Sequence, residues 1–166
     1  KKAMKLGIVG WRGMVGQVLM ERMIQEDDLK NFDTTFFSTS NAGGNHPFGS
    51  GLKANPTLLD AYNINELKNM DIVLTCQGGD YTNKVYPELR AAGFKGFWVD
   101  AASALRMKDD STIILDPVNL HVIKNALKDG KRDFVGGNCT VSLMLLALGG
   151  LFKSESIEWM TSMTYQ

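Results

Sequence analysis

The hydrophobic pattern changes its period repeatedly along the chain. Short runs of apolar, β-branched or aromatic residues, with the lengths of strands, occur at residues 5–9, 33–38, 71–75, 97–100, 112–116 and 134–135. Longer segments with apolar residues at helical spacing lie between several of these runs, at residues 14–24, 81–92 and 118–127. This alternation predicts an α/β fold with a mostly parallel, doubly wound sheet that carries helices on both faces.

Other segments carry weaker signals. Residues 41–56 are rich in glycine and proline and predict a loop, whereas residues 58–70 predict a short helix or turns. The first predicted helix has Val15, Leu19 and Met23 on one apolar face.

The character of the chain changes near residue 135. The run 141–148 is apolar on all sides and ends at a Gly-Gly pair, which predicts a buried helix. Residues 157–165 alternate loosely, which predicts an antiparallel strand. We therefore expect residues 1–135 to form the sheet domain and residues 136–166 to begin a second domain of the α+β type.

The turn between the first strand and the first helix carries three glycines, Gly10, Gly13 and Gly16. The Rossmann dinucleotide fingerprint separates its first two glycines by one residue, so the spacing here is a variant. Its mechanics still fit, because Gly10 permits the turn, Gly13 lets the backbone approach a pyrophosphate, and Gly16 lets the helix pack closely. The pattern predicts a Rossmann-type dinucleotide site, and the alternative is a βα turn that binds no ligand.

The residues that follow the second strand indicate which dinucleotide is bound. NAD-specific Rossmann domains carry an acidic residue about 20 positions after the glycine turn. Here that neighbourhood is Ser38, Thr39 and Ser40, with no carboxylate. Hydroxyl groups donate to a 2′-phosphate, and Arg12 in the glycine turn supplies a positive charge. We therefore expect NADP rather than NAD, unless these residues only end the strand.

Cys139 lies in the segment Gly-Gly-Asn-Cys-Thr, directly before the last predicted helix. The free N–H groups and the dipole at a helix N-terminus stabilise a thiolate and also hold a developing oxyanion. Cys139 is therefore a candidate nucleophile, and the alternative is a buried structural thiol.

Polar residues that follow other strands are further candidates. Arg106 and Gln77 come after predicted strands, at the edge of a parallel sheet where ligands bind. A guanidinium there binds phosphate or carboxylate, unless Arg106 forms a salt bridge with a following aspartate. Cys76, His46 and His121 have no catalytic partners nearby in the sequence, and we expect packing or solvated roles for them.

Composition and charge exclude several classes of protein. The chain has 166 residues, with 18 basic and 18 acidic side chains and a formal net charge of zero, so nucleic acid and membrane surfaces are not expected partners. The two cysteines lie far apart and form no Cys/His cluster, which argues against a metal site and a disulfide framework. We expect a cytoplasmic protein that binds small molecules, with no membrane-spanning segment.

Five motifs stand in order along the chain. They occupy residues 7–16, 36–40, 75–82, 100–108 and 136–140 and read GIVGWRGMVG, FFSTS, TCQGGDYT, DAASALRMK and GGNCT. Together they resemble the aspartate-semialdehyde dehydrogenase family of the type found in Gram-negative bacteria.

The resemblance implies a reaction and a set of site residues. Members of the family reduce L-aspartyl-4-phosphate to L-aspartate 4-semialdehyde with NADPH, on the route to lysine, methionine, threonine and isoleucine. The resemblance implies Cys139 as the nucleophile that forms a thioester. It implies that the substrate or phosphate is bound by Arg106, Asn138 and Gln166. The cofactor residues that it implies are Gly10, Arg12, Gly13, Met14, Val15, Thr39, Ser40 and Gln77.

Members of that family are more than twice as long as this chain, and the remainder holds an acid/base histidine, an arginine for the substrate carboxylate and most of the subunit interface. The resemblance therefore implies that this chain is an N-terminal portion, that residues 136–166 begin a truncated catalytic and dimerisation domain, and that the full-length protein is a homodimer. We expect the chain alone to bind NADP(H) weakly without turnover, since general acid–base catalysis supplies about 10²–10⁴-fold in rate.

Two other interpretations remain open. One is another acyl-phosphate reductase of similar architecture, such as N-acetyl-glutamyl-phosphate reductase or a glyceraldehyde-phosphate dehydrogenase. The other is a non-catalytic NADP-binding or redox-sensing module.

Overall fold

Seven strands form one sheet within residues 2–165, the part of the chain that the computed structural model describes. All neighbouring strands in this sheet are parallel. The strands are β1 (Met4–Val9), β2 (Phe32–Ser38), β3 (Leu59–Asp60), β4 (Ile72–Thr75), β5 (Phe97–Asp100), β6 (Ser111–Ile114) and β7 (Asp133–Gly136). The prediction of an α/β fold with a parallel sheet is confirmed.

The sheet order is β3-β2-β1-β4-β5-β7-β6. The chain therefore runs outward from β1 to β3, returns to the other side of β1 and continues to β5. The order reverses between β1 and β4, and the carboxyl ends of strands at such a reversal form the crevice in which doubly wound folds bind ligands.

Helices connect the strands. They are α1 (Met14–Gln25), α2 (Ile64–Lys68), α3 (Gly79–Ala91), α4 (Asp116–Lys128) and α5 (Cys139–Lys153), with a short 3-10 helix at Asp28–Asn31. The helices predicted at 14–24, 81–92 and 118–127 are thus present, and the segment 58–70 contains β3 as well as α2. No helix between residues 2 and 165 is long and apolar enough to cross a membrane.

The sheet is covered on both faces. Phe36 and Phe37 are adjacent in β2 and both have no exposed surface, yet they belong to different apolar clusters. Successive side chains of a strand point to opposite faces, so each phenylalanine fills the core on its own side. Ile8 and Val9 of β1 divide between the same two clusters, as expected for a doubly wound sheet.

The buried face of α1 differs from the predicted one. Val15 is 55% exposed, whereas Gly16 and Met20 are the buried residues of this helix. Gly16 rests directly on the preceding turn, and this contact rotates the helix so that Met20 packs into the core while Val15 faces outward. Leu19 and Met23 of the predicted face are half-buried, and Met23 packs against the same core cluster as Met20. The predicted and observed faces therefore overlap and differ mainly at Val15.

Two predictions for the C-terminal part are wrong for this chain. No residue of α5 is buried, although the helix was predicted to be buried. Leu143 is 69% exposed and Leu146 is 48% exposed. An apolar helix indicates a preference for burial but does not supply the surface that covers it, and α4 is the element that contacts α5.

Residues 157–165 form no strand. A strand requires a partner that satisfies its backbone N–H and C=O groups. Within residues 2–165 no strand pairs with this segment, and its loose alternation alone does not stabilise an extended structure.

Candidate functional site

A cavity of about 290 Å³ lies at the carboxyl ends of β1, β2 and β4. The turn after β1 forms one wall, and the residues after β2 and β4 form the others. The lining residues are Gly10, Trp11, Arg12, Gly13, Phe37, Ser38, Thr39, Cys76 and Gln77. The cavity therefore occupies the point at which the strand order reverses, which is the position of dinucleotides in this class of fold.

Gly10 and Gly16 must be glycines, because the backbone of a neighbouring segment occupies the space that a Cβ would need at each position. Gly10 has φ +77°, and a Cβ there would lie 2.4 Å from the backbone nitrogen of Gln77. A Cβ on Gly16 would lie 2.0 Å from the carbonyl oxygen of Gly10. Neither position accepts a side chain without moving the backbone, so the turn, β4 and α1 are held in close contact.

Gly13 has a different role in the turn. A Cβ there would have no neighbour closer than 3.9 Å, so packing within the chain does not require this glycine. Gly13 is the N-cap of α1 and no side chain caps the helix, which leaves the first N–H groups of α1 available to an anion. The open space at Gly13 fits the close approach of a pyrophosphate.

Arg12 supplies the positive charge of the cavity. Its guanidinium donates to Ser38 Oγ at 3.1 Å and to Ser40 Oγ at 2.8 Å, and it lies 5.2 Å from the centre of the Trp11 ring. Within the described residues no carboxylate forms an ion pair with Arg12. The charge is therefore not neutralised, and two hydroxyl groups hold it beside the end of β2.

The predicted cofactor residues fall into three groups. Those that line the cavity are Gly10, Arg12, Gly13, Thr39 and Gln77. Ser40 contacts the cavity through Arg12. Met14 and Val15 lie in the first turn of α1, are 83% and 55% exposed, and are outside the lining. The roles of these residues toward a cofactor remain predictions.

Cys139 is the first residue of α5, and its side chain is exposed. The side chain of Asn138 caps the helix, because its Oδ1 accepts a hydrogen bond from the backbone N–H of Val141 at 3.1 Å. Cys139 Sγ lies 3.9 Å from Thr140 Oγ1. The thiol is therefore accessible at a capped helix N-terminus, and the alternative of a buried structural cysteine does not apply to this chain.

Cys76 has the opposite environment. It is partly buried beside the turn after β1, and its backbone N–H donates to the carbonyl of Val9 at 2.9 Å. Burial, and secondarily the carboxylate of Asp100, raise the pKa of the Cys76 thiol to about 11. The group is therefore protonated near neutral pH. Because Cys76 also lines the cavity, the packing role predicted for it stays a prediction.

Arg106 contacts the turn that precedes Cys139. Its Nε donates to the carbonyl of Gly136 at 2.8 Å, and one terminal nitrogen donates to the carbonyl of Gly137 at 3.1 Å. The alternative predicted for it, a salt bridge with a following aspartate, is absent among the described residues. The structure thus brings Arg106 and the Asn138–Cys139 pair to the same edge of the sheet.

Other predicted residues are not brought to this edge. His46 packs against the rings of Phe36 and Phe48, and its Nδ1 accepts from the N–H of Phe48 at 3.2 Å, so it is half-buried rather than solvated. His121 is exposed on α4. Gln166 lies outside the described residues. No group of three or more His, Cys, Asp or Glu within residues 2–165 has the arrangement of a metal site.

Asp100, which is 1% exposed at the end of β5, was not among the predicted site residues. Its carboxylate accepts from Thr82 Oγ1 at 2.6 Å, from Trp98 Nε1 at 3.1 Å and from the N–H of Ala102 at 2.8 Å. An acidic residue that ends an apolar strand was the available signal. Its partner on α3 is 18 positions away, which no local pattern reveals.

The chain is similar to a known protein family and to several solved structures. The family described as semialdehyde dehydrogenase, NAD binding domain, matches residues 5–126. The solved structure of aspartate semialdehyde dehydrogenase from Francisella tularensis is 53% identical over 92% of this chain, with a TM-score of 0.87, and the match covers 41% of that chain.

Two more distant structures show the same fold. Aspartate semialdehyde dehydrogenase II from Vibrio cholerae, complexed with ASA, is 21% identical, with a TM-score of 0.74 and coverage of 92% of this chain and 47% of that chain. The enzyme from Candida albicans, solved with NADP, is 15% identical, with a TM-score of 0.63 and coverage of 92% and 48%. The chain therefore spans less than half the length of these three solved chains.

Proposed function

The chain belongs to the semialdehyde dehydrogenase family through its NAD-binding domain, and from this membership we propose that it forms the NADP(H)-binding and nucleophile-bearing part of an aspartate-semialdehyde dehydrogenase. The proposed reaction is the reductive dephosphorylation of L-aspartyl-4-phosphate to L-aspartate 4-semialdehyde, in the biosynthesis of lysine, methionine, threonine and isoleucine. The observation that carries the proposal is the exposed Cys139 at the start of α5, beside a turn that Arg106 contacts. The 53% identity to the enzyme from Francisella tularensis favours this substrate over those of other acyl-phosphate reductases.

The chemistry assigned to Cys139 is covalent. The thiolate attacks the acyl carbon, the bond from that carbon to the phosphate oxygen breaks, and inorganic phosphate leaves. NADPH, when bound, supplies the hydride that reduces the resulting thioester, and the aldehyde is released as the thiolate reforms. The first N–H groups of α5 stabilise the oxyanion that develops in each step.

Arg106 and Asn138 are proposed to position the substrate. The two carbonyl contacts of Arg106 use Nε and one terminal nitrogen. The other terminal nitrogen makes no hydrogen bond within the described chain, and we assign it to a phosphate oxygen. Asn138 caps α5 through Oδ1, which fixes the rotation of the turn that presents Cys139.

The preference for NADP over NAD is assigned to Arg12 and the hydroxyl groups beside it. The end of β2 carries Ser38, Thr39 and Ser40 instead of the carboxylate that binds a ribose 2′-hydroxyl in NAD-specific domains. A guanidinium without a carboxylate partner favours the doubly charged 2′-phosphate. The glycine turn fits the pyrophosphate, since Gly13 leaves space for it.

We further propose that the full-length protein is a cytoplasmic homodimer that acts on small molecules. Two free cysteines are compatible with a reducing compartment. For the present chain alone we expect no turnover, because His46 packs against aromatic rings and His121 is exposed on α4, so neither is the acid/base residue.

The test is phosphate-dependent formation of NADPH from L-aspartate 4-semialdehyde by the product of the full reading frame. We expect absorbance at 340 nm to rise only when phosphate is present, with Cys139→Ala inactive and able to bind NADP. Cys76→Ala removes the other thiol, which lines the dinucleotide cavity, and should still form the acyl-enzyme on Cys139 by mass spectrometry, whatever its affinity for NADP. Binding of NADP without any acyl-enzyme by mass spectrometry would replace this proposal with a non-catalytic binding or redox-sensing module. Turnover only with another acyl phosphate would identify a different reductase.

A further inference from the structure

The loop at residues 101–110 joins β5 to β6 and carries Arg106. Around Arg106 its backbone hydrogen bonds are local, from the N–H of Arg106 to the carbonyl of Ser103 at 3.0 Å and from the N–H of Lys108 to the carbonyl of Leu105 at 3.1 Å. Its two ends have distant partners, since the N–H of Ala101 donates to the carbonyl of Thr75 and Lys131 Nζ donates to the carbonyl of Asp109, both at 3.1 Å. Leu105 is 8% exposed and packs into the core. These contacts shape the loop but do not by themselves fix where the Arg106 side chain lies relative to Cys139.

One face of α3 contacts Asp100, the residue that precedes the loop, and Lys108 within the loop. Before Arg106, Thr82 Oγ1 donates to Asp100 at 2.6 Å, and the other oxygen of that carboxylate accepts from the N–H of Ala102 at 2.8 Å. After Arg106, Lys108 Nζ donates to the hydroxyl of Tyr86 at 2.6 Å. Thr82 and Tyr86 are four residues apart, so they lie on the same side of the helix.

Tyr86 also connects the loop to the strand that leads to the nucleophile. Its hydroxyl donates to Asp133, the first residue of β7, and Lys108 Nζ lies 3.7 Å from the same carboxylate. Arg90, one turn further along α3, forms an ion pair with Asp133 at 2.6 Å. Strand β7 ends at Gly136, whose carbonyl Arg106 contacts. The loop that carries Arg106 and the strand that leads to the Gly136–Gly137 turn are therefore both attached to the same face of α3.

We propose that Thr82 and Tyr86 are positioning residues that hold the 101–110 loop so that Arg106 reaches both the Gly136–Gly137 turn and the phosphate of the substrate. Both are buried, with exposed fractions of 0% and 7%, and neither lines the dinucleotide cavity. They act through Asp100 and Lys108, respectively. The proposal rests on the role assigned to Arg106 under the proposed function.

The test compares three buried hydroxyl groups on α3. Thr82→Val and Tyr86→Phe remove the two hydroxyls that contact the loop or its neighbours while keeping the side-chain shapes. Tyr81→Phe is the matched control, because the Tyr81 hydroxyl is also buried and donates to the carbonyl of Ala61 at 2.6 Å, away from the loop. Tyr81→Phe loses one hydrogen bond to a carbonyl, whereas Thr82→Val and Tyr86→Phe each lose two contacts, one of them to a carboxylate. The Tm of each variant is therefore measured as well, and the KM values are compared at a temperature at which all variants are folded.

In the full-length enzyme we expect Thr82→Val and Tyr86→Phe each to raise the KM for phosphate about tenfold, since small misplacements of a binding group have effects of this order. The KM for NADP should change less than about twofold, and Tyr81→Phe should leave both KM values near wild type. Thr82→Ser keeps the hydroxyl and should restore the KM for phosphate. Equal changes in all three variants, or an unchanged KM for phosphate in Tyr86→Phe, would overturn the proposal.

A second measurement does not depend on turnover. Amide hydrogen exchange in a peptide that covers residues 101–111 should be faster in Thr82→Val and Tyr86→Phe, but not in Tyr81→Phe. If Thr82→Val does not fold, Tyr86→Phe is compared with Lys108→Met, a substitution of a half-exposed side chain. Both substitutions remove the contact between Lys108 Nζ and the Tyr86 hydroxyl. Their effects on the exchange rate should therefore be non-additive in the double variant. If the wild type is inactive but exchange is faster only in Thr82→Val and Tyr86→Phe, the proposed function is refuted and the role of α3 stands. If exchange in this peptide is unchanged in both variants, the role of α3 is refuted.

Discussion

The two thiols of the chain differ in their surroundings, and this difference predicts which of them is alkylated first. Cys139 is exposed, whereas burial raises the pKa of Cys76 to about 11. At pH 7.5 roughly 0.03% of Cys76 is then the reactive thiolate. Iodoacetamide at this pH should therefore modify Cys139 first, giving one adduct by mass spectrometry. Because Cys76 loses its proton only as the pH approaches 11, its rate of modification should rise about tenfold per pH unit. Equal labelling of both thiols at pH 7.5 would contradict this assignment.

A second prediction concerns the effect of the Arg12 charge on the affinity for NADP. Arg12→Ala removes the charge beside Ser38 and Ser40, and a charge-assisted hydrogen bond contributes about 1.5–3 kcal/mol. We expect the Kd for NADP to rise about 10- to 100-fold in a fluorescence titration, with little change in the Kd for NAD. Ser40→Ala, which removes only one of the two hydroxyl partners, should have a smaller effect. An equal loss for both dinucleotides would place Arg12 at the pyrophosphate instead.

Single residues were predictable from sequence where the chemistry is local. The glycine turn, the missing carboxylate after β2 and the position of Cys139 before an apolar helix are all read within a few neighbouring positions. The partners of Arg106 are the carbonyls of Gly136 and Gly137, 30 and 31 positions away. The environment of His46 also depends on a distant strand, through Phe36. Such contacts follow only from the fold.

The turn between β1 and α1 contains one glycine that packing requires, Gly16, and one that packing does not require, Gly13. Gly16→Ala places a methyl group 2.0 Å from the carbonyl oxygen of Gly10, and we expect a loss of about 3 kcal/mol and a fall in Tm of roughly 10 °C. Gly13→Ala meets open space and changes only the N-cap of α1, at a cost of about 1 kcal/mol or less.

The second readout of the same comparison is cofactor binding. Gly13→Ala should remain folded by calorimetry and still lose at least about tenfold in affinity for NADP, because the methyl group occupies the space that the pyrophosphate needs. A Gly13→Ala variant with the Tm and the NADP affinity of the wild type would remove the glycine turn from the proposed site.

Element types were predictable because the hydrophobic period differs between strands and helices. The orientation of α1 was predictable only in part: Met23 of the apolar face packs against the core, but the contact of Gly16 with the preceding turn buries Gly16 and Met20 and leaves Val15 exposed. For α5 the period correctly predicts a helix, but burial depends on what lies beside it, and α4 covers only part of its surface.

At the scale of the whole molecule, the regular alternation of strands and helices predicts the class of fold, but it does not give the order of the strands. The placement of β7 between β5 and β6 brings Gly136 next to Asp100, with 3.7 Å between a Cβ built on Gly136 and the carbonyl oxygen of Asp100. This juxtaposition allows the Arg106 loop and the nucleophile turn to meet. It is a non-local result that the sequence pattern does not contain.

The distribution of buried residues leads to a prediction for the chain as a whole. Among residues 2–165 every buried residue lies at or before Val135, and the buried members of both apolar clusters also end there. No residue of α5 is buried, while Trp159 and Met163 are 77% and 95% exposed. The sheet and its two cores are therefore expected to fold without α5 and the segment that follows it.

A chain of residues 1–138 keeps the two carbonyls that Arg106 contacts and removes the exposed apolar surface of α5. We expect this shorter chain to unfold cooperatively, with a Tm within about 5 °C of that of residues 1–166, since the loss of half-exposed contacts corresponds to only about 1–2 kcal/mol. It should bind less of a fluorescent apolar dye such as ANS and retain its affinity for NADP. Loss of cooperative unfolding would show instead that α5 belongs to the sheet domain. The contact between α4 and α5 would then be required to hold β6 and β7 in place. The domain boundary predicted near residue 135 would be wrong.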